Sequence, residues 1–189
     1  MTELVRVRAF ADGDWDAVVA LERDAYTGLG LSEGRAALQS RAAASPETCY
    51  VVDVGARTAG YLLALPYPPH RYPDLTRTEA ARGVPEAGNL HLHDIVVAPE
   101  LRRRGLARHL LHRLTDTARA RGDGRISLVA VGGTERFWSA RGFVAEPGVV
   151  PAGAYGDGAV YMSRPVAATR PTRVRPSPSP PAPTLREVS

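Results

Sequence analysis

Lysine is absent from the 189 residues, so all 24 basic side chains are arginine, a bias that reads as one of coding. Cysteine occurs once, at Cys49, which excludes an internal disulfide and fits a reduced, cytoplasmic location. No run of about 18 uncharged apolar residues is present, so no membrane-spanning helix and no membrane partner are expected. The opening residues Met1 to Arg6 lack a charged segment followed by an apolar run, which argues against a secretory signal. The length suits one well-buried domain and is too short for two ordinary ones.

The formal charge of +4 invites a nucleic-acid reading, but its distribution opposes it. Beyond residue 164, Arg170, Arg173, Arg175 and Arg186 face only Glu187, which leaves the first 164 residues at +1. A nearly neutral body lacks the basic footprint of a nucleic-acid-binding domain, so no nucleic acid is expected as a partner. Residues 165–189 are rich in Pro, Ser and Arg and poor in large apolar groups. Such a segment cannot bury enough surface to offset its ordering entropy, so 165–189 is expected to be a disordered tail after a domain spanning 1–164.

Within that domain, strand-like and helix-like segments alternate. Leu4 to Phe10 alternates in character and predicts a strand. Asp12 to Tyr26 places Trp15, Val18, Val19 and Leu21 at near-helical spacing, with Asp12 or Asp14 as cap. Ser32 is expected to cap a second helix running to about Ala44. Thr48 to Val54 and Gly60 to Leu65, joined at Gly55-Ala56-Arg57, predict a hairpin. Residues 66–88 form a long Pro- and Gly-rich loop, a length that usually marks function or mobility. Leu90 to Val97 is strand-like and stopped by Pro99. From Arg103 to Arg121, Leu106, Leu110, Leu114 and Ala118 repeat every four residues and mark one buried helix face. Ile126 to Val131 is an apolar strand, and Thr134 to Arg141 a short helix closed by Gly142. Two strands, near Phe143 and Ala159 to Met162, complete the order β-α-α-β-β-β-α-β-α-β-β, an α/β (α+β) class mixed sheet with helices on both faces.

The turn after Leu90 to Val97 carries the most chemistry. In Arg102-Arg103-Arg104-Gly105-Leu106-Ala107-Arg108 a buried strand gives way to a helix whose first positions are small. The first helical turn has backbone N–H groups without internal partners and lies at the positive end of the helix dipole. Gly105 and Ala107 let a diphosphate approach that backbone, and the arginines add positive charge beside it. A solvated basic turn, with Gly105 merely relieving a crowded helix start, is the alternative.

The pattern Arg102-x-x-Gly105-x-Ala107 after a strand resembles the acyl-CoA signature of the GNAT superfamily of N-acetyltransferases, and Phe137-Trp138-x-x-x-Gly142-Phe143 is similar to its aromatic-pair motif. The element order matches that GNAT-like, mostly antiparallel fold over roughly residues 3 to 163. The resemblance implies acetyl-CoA as co-substrate, its diphosphate on the amides from Arg103 to Arg108, and its pantetheine arm paired with Ile95, Val96 and Val97. It implies that Phe137 and Trp138 also face the cofactor. Many members carry tyrosine where Trp138 stands, and its hydroxyl protonates the departing thiolate. Indole has no comparably acidic proton. Tyr155 is a candidate replacement. The lack of lysine leaves no side-chain amine for self-acetylation.

Acetyl transfer to an amine needs a proton acceptor, because a primary amine is mostly protonated at neutral pH. His91 and His93 lead into the turn at i, i+2 spacing, which places both imidazoles on one face of a regular strand. This His-x-His looks like the arylalkylamine (serotonin-type) branch, which implies a proton relay. Both could equally be half-buried sheet residues. Asp94 is expected on the opposite face, as a sheet anchor or as the base itself. No third ligand accompanies the histidines, so no metal is expected. Tyr26, Leu29 and Tyr67, with Tyr72, are candidates to wall the acceptor pocket.

The expected function is acetyl transfer to the primary amine of a small molecule, with an arylalkylamine as the first guess. A protein N-terminus as acceptor and a catalytically weak acetyl-CoA-binding regulatory module are the alternatives. A homodimer is compatible with this class of fold.

Overall fold

A computed structural model describes residues 3–79 and 88–167. Most of the expected tail, from residue 168 on, and residues 80–87 of the long loop lie outside that range. The chain forms β1 (Val5–Ala9), α1 (Trp15–Tyr26), α2 (Arg35–Ala44), β2 (Tyr50–Val54), β3 (Arg57–Pro66), β4 (Asn89–Val97), α3 (Leu106–Arg121), β5 (Arg125–Ala130), α4 (Glu135–Ser139), β6 (Val144–Ala145) and β7 (Val160–Pro165). The seven strands make one sheet in the order β1-β2-β3-β4-β5-β7-β6. Every pairing is antiparallel except β4 with β5.

Two cores sandwich the sheet. On one face the four-residue repeat of α3, Leu106, Leu110, Leu114 and Ala118, packs on Val52, Leu62, Leu90, Leu92, Ile126 and Leu128. On the other, Trp15, Val18, Leu38 and Ala42 of α1 and α2 cover Cys49, Val51, Tyr61, Leu63 and Val96. Cys49 is buried among apolar groups, and burial pushes its thiol up to about 12.

The helix starts differ from expectation. Asp14 stands at the N-cap position of α1 but its side chain makes no capping bond; its carboxylate accepts from Arg8 and from the Ala11 amide. Ser32 does not cap α2, which begins after Gly34 at φ +81°; its hydroxyl donates instead to Glu22. In both places a side chain with a nearer tertiary partner leaves the helix end to the backbone.

Two irregularities shape the centre of the sheet. First, β4 and β5 pair only from Asn89–Leu92 against Arg125–Leu128. Beyond that point β4 stays with β3 while β5 follows β7, so the two strands diverge. Second, Leu63 faces Asp94 whereas the next residue, Ala64, faces Leu92, which makes His93 the extra residue of a β-bulge. A bulge inverts the alternation. Leu90 and Leu92 face α3, and so do Ile95 and Val97, while Val96 faces α1 and α2.

Candidate active site

The divergence of β4 and β5 opens a cleft of ≈ 460 Å³, within the range of small-molecule sites. Its walls include Ile95 and Val97 of β4, Leu128 of β5, and Phe137 and Trp138 of α4. From the other side Tyr26 and Leu29 close it, and His93 lies where the strands part. Between His93 and Val97 the β5-facing edge of β4 has no strand partner among the described residues, which leaves backbone groups for an extended ligand to pair with.

At the mouth, the turn from Ala98 to Gly105 brings main-chain N–H groups together. Arg103 and Gly105 take left-handed φ values of 66° and 82°. The amides of Arg103, Arg104, Gly105, Leu106 and Ala107 donate to no acceptor among the described residues, while those of Arg108 and His109 turn back to the Gly105 carbonyl. Five adjacent free amides at the start of a 16-residue helix fit a diphosphate, and the residues present are compatible with acetyl-CoA as substrate. Arg102 lines the cleft with Nε on the Val97 carbonyl (3.3 Å). Arg104 pairs loosely with Glu3 at 3.6 Å. Leu106 is core, and Arg108 faces a separate groove along α3. Trp138 is buried edge-on between Phe137 and Phe143.

The bulge decides where the strand's polar groups go. Asp94, expected opposite the histidines, turns to the α1 and α2 side with them. It is buried there, and both its oxygens accept from tyrosines, Tyr26 (2.5 Å) on one and Tyr61 on the other. Burial raises its carboxyl above the ordinary value despite those bonds.

His91 lines neither the cleft nor the pocket beside it. Its ring packs between Tyr67 and Tyr161, and Nδ1 meets the Ser127 hydroxyl at 3.0 Å. Complete burial, with the charges of His93 and Arg41 adding to it, holds its pKa well below the ordinary 6.5. A histidine so placed stays neutral and stands back from both cavities.

His93 is different. Nε2 donates to Glu33 Oε2 at 2.5 Å, and Nδ1 is buried with no hydrogen-bond partner among the described residues. It borders both the cleft and a pocket of about 40 Å³ lined by Glu22, Tyr26, Leu31, Glu33, Asp94 and Tyr155, among others. Glu33 is held below the ordinary carboxylate value: burial alone would raise it, but the bonds from His93 and Arg41 outweigh that. An ionised Glu33 fixes the Nε2–H tautomer and leaves the lone pair on Nδ1.

Tyr155 is buried, and its hydroxyl donates to the Pro73 carbonyl. Tyr67 does not wall the pocket; its hydroxyl binds Glu79 and its ring meets His91. Glu33, Glu22 and Arg41 escaped sequence reasoning. One signal was available for Arg41: it occupies the apolar face of α2 beside Ala37, Leu38 and Ala42, where an arginine requires buried partners.

A model described as the acetyltransferase (GNAT) family matches residues 15–143. The chain belongs to that family. Membership makes it an acetyl-CoA-dependent N-acetyltransferase, within a family that in general transfers acyl groups from acyl-CoA to amines. Among solved structures, Ard1 from Thermoplasma volcanium superposes with a TM-score of 0.66 at 18% identity, covering 86% of this chain and 98% of that one. The ribosomal-protein-S18-alanine N-acetyltransferase from Escherichia coli gives 0.61 at 16% identity, over 89% and 98%. A GNAT-like decarboxylase, GphF, in complex with isobutyryl-CoA gives 0.68 at 21% identity, over 86% and 100%. At these identities the structural likeness establishes the fold. No curated protein is significantly similar in sequence.

Proposed function

We propose that this GNAT enzyme acetylates the primary amine of a small molecule and that His93 accepts the amine's proton at Nδ1. The observation that carries the reading is the state of that ring: in a residue bordering both cleft and pocket, one nitrogen is tied to a buried carboxylate and the other has no hydrogen-bond partner among the described residues. Acetyl-CoA supplies the activated thioester. The amides from Arg103 to Ala107 hold its diphosphate, and the free edge of Ile95, Val96 and Val97 holds its pantetheine arm and offers N–H groups to the developing oxyanion.

The small pocket admits the amine-bearing end of an acceptor with little else, and Glu22 and Glu33 favour a cationic approach. Tyr26 and Tyr155 supply aromatic walls, so arylalkylamines head the acceptor classes to test. The departing thiolate needs no full protonation, since such thiols have a pKa of about 8.5. Tyr155 is therefore assigned to anchoring the loop at Pro73.

The test is release of CoA thiol from acetyl-CoA with a panel of amines, for wild type and His93→Ala. Loss of a general base is expected to lower kcat/KM by roughly 10²- to 10⁴-fold. Undiminished turnover by the variant overturns the assignment.

A further inference from the structure

The guanidinium of Arg41 is fully buried, which is costly unless every side of it is compensated. Its partners come from two directions. Toward the sheet it donates to Glu33, the carboxylate that also receives His93 Nε2–H. Toward the long loop it donates to Glu79 (2.7 Å), to the Asp74 carbonyl (3.1 Å) and to the Arg77 carbonyl (3.3 Å). Between those loop carbonyls lies Leu75, which lines the acceptor pocket, and two residues before it Pro73 receives Tyr155. The Glu79 amide is further tied to the Ser40 hydroxyl of α2. One cation thus holds both the carboxylate behind the histidine and the loop that walls the pocket.

From this geometry we propose that Glu33 and Arg41 are positioning residues: Glu33 sets the tautomer and orientation of His93, and Arg41 holds Glu33 with one arm and docks residues 73–79 over the acceptor with the other. The inference rests on His93 being the proton acceptor. Glu33 acts through the ring and Arg41 through Glu33. Glu79 acts on the loop alone, since it touches neither His93 nor the cleft.

The two arms of Arg41 separate by experiment. Glu33→Gln keeps a hydrogen-bond acceptor for Nε2–H and removes the anion that stabilises the imidazolium. The other titratable and charged groups facing this corner are Glu22, Tyr26, Asp94 and Tyr155 in the shared pocket, His91 on the same strand, Arg41 behind Glu33 and Tyr61 behind Asp94. None of them replaces the lost anion at Nε2. Without it the protonated form is less favoured, so the acid limb of the kcat/KM profile is expected to move to lower pH by about one unit. Glu79→Gln loosens only the loop; it is expected to raise the acceptor KM about tenfold and leave that limb in place. Full-length variants are compared by circular dichroism first, and Glu33→Asp, which retains the charge, restores the limb if Glu33→Gln moves it.

A limb unmoved in Glu33→Gln, while His93→Ala is inactive, overturns the positioning role and leaves the base intact. An active His93→Ala overturns the base itself. A KM unchanged in Glu79→Gln overturns the docking role of the Arg41–Glu79 arm.

Discussion

Three side chains near the site carry similar chemistry and receive different work from their surroundings. His91, buried and neutral, stabilises the fold only while it need not charge. Its folded pKa lies below the unfolded 6.5, so the unfolded chain binds the extra proton. Stability is therefore full above pH 6.5 and falls below it, by up to about 1.4 kcal/mol per pH unit for one site. Thermal melts of wild type between pH 7.5 and 5 should show this loss, and His91→Gln should flatten it; parallel curves would contradict the assignment. The same variant should cost far less activity than His93→Ala. Tyr155→Phe gives the third comparison. Loss of the bond to Pro73 should cost about 1 kcal/mol of stability, with kcat nearly unchanged. A kcat drop on the order of 100-fold would instead restore Tyr155 as the general acid.

Strands β3 and β4 set the site, and their geometry has a sequence requirement at Gly60. A Cβ built there would sit 2.5 Å from the Val96 carbonyl oxygen, a backbone atom that cannot swing aside. Gly60→Ala should push β3 from β4 beside the cleft, destabilise the fold by about 1–3 kcal/mol in urea titration, and raise the KM for acetyl-CoA. Unchanged stability and KM would mean that β4 tolerates displacement.

The order and type of elements were legible because each carries its own period: the four-residue repeat of Leu106 to Ala118 and the apolar runs of β3 and β5. The turn into α3 was legible too, since Gly105 takes the left-handed backbone that favours glycine. The bulge at His93 was not. Nothing in His-Leu-His-Asp breaks alternation; the extra residue exists only in the pairing with Leu63 and Ala64. That one slip moved Asp94 to the face of the histidines. Glu33 was invisible for a related reason: it lies 60 residues from His93 in an irregular segment without periodicity.

Across the molecule, the sheet separates the two tasks. In the proposed enzyme the α3 side offers main-chain amides at its helix start, and the α1 and α2 side offers carboxylates and the small pocket, with His93 where β4 and β5 part. All the groups assigned above lie within residues 3–167, so a chain ending at Ala167 should retain acetyl transfer at the full-length rate. A large loss in that chain would place a needed group in residues 168–189.

The central claim is that an amine delivers its proton to His93 while acetyl-CoA occupies the divided strands. It is tested most directly by following thiol release from acetyl-CoA in the presence of arylalkylamines, polyamines, aminoglycosides and peptide N-termini, with wild type and His93→Ala side by side. Turnover with a small amine that collapses in the variant, with acetyl-CoA binding retained in both, is the expected result. Binding of acetyl-CoA without turnover on any amine would contradict it, and would favour a module that binds acetyl-CoA without catalysis.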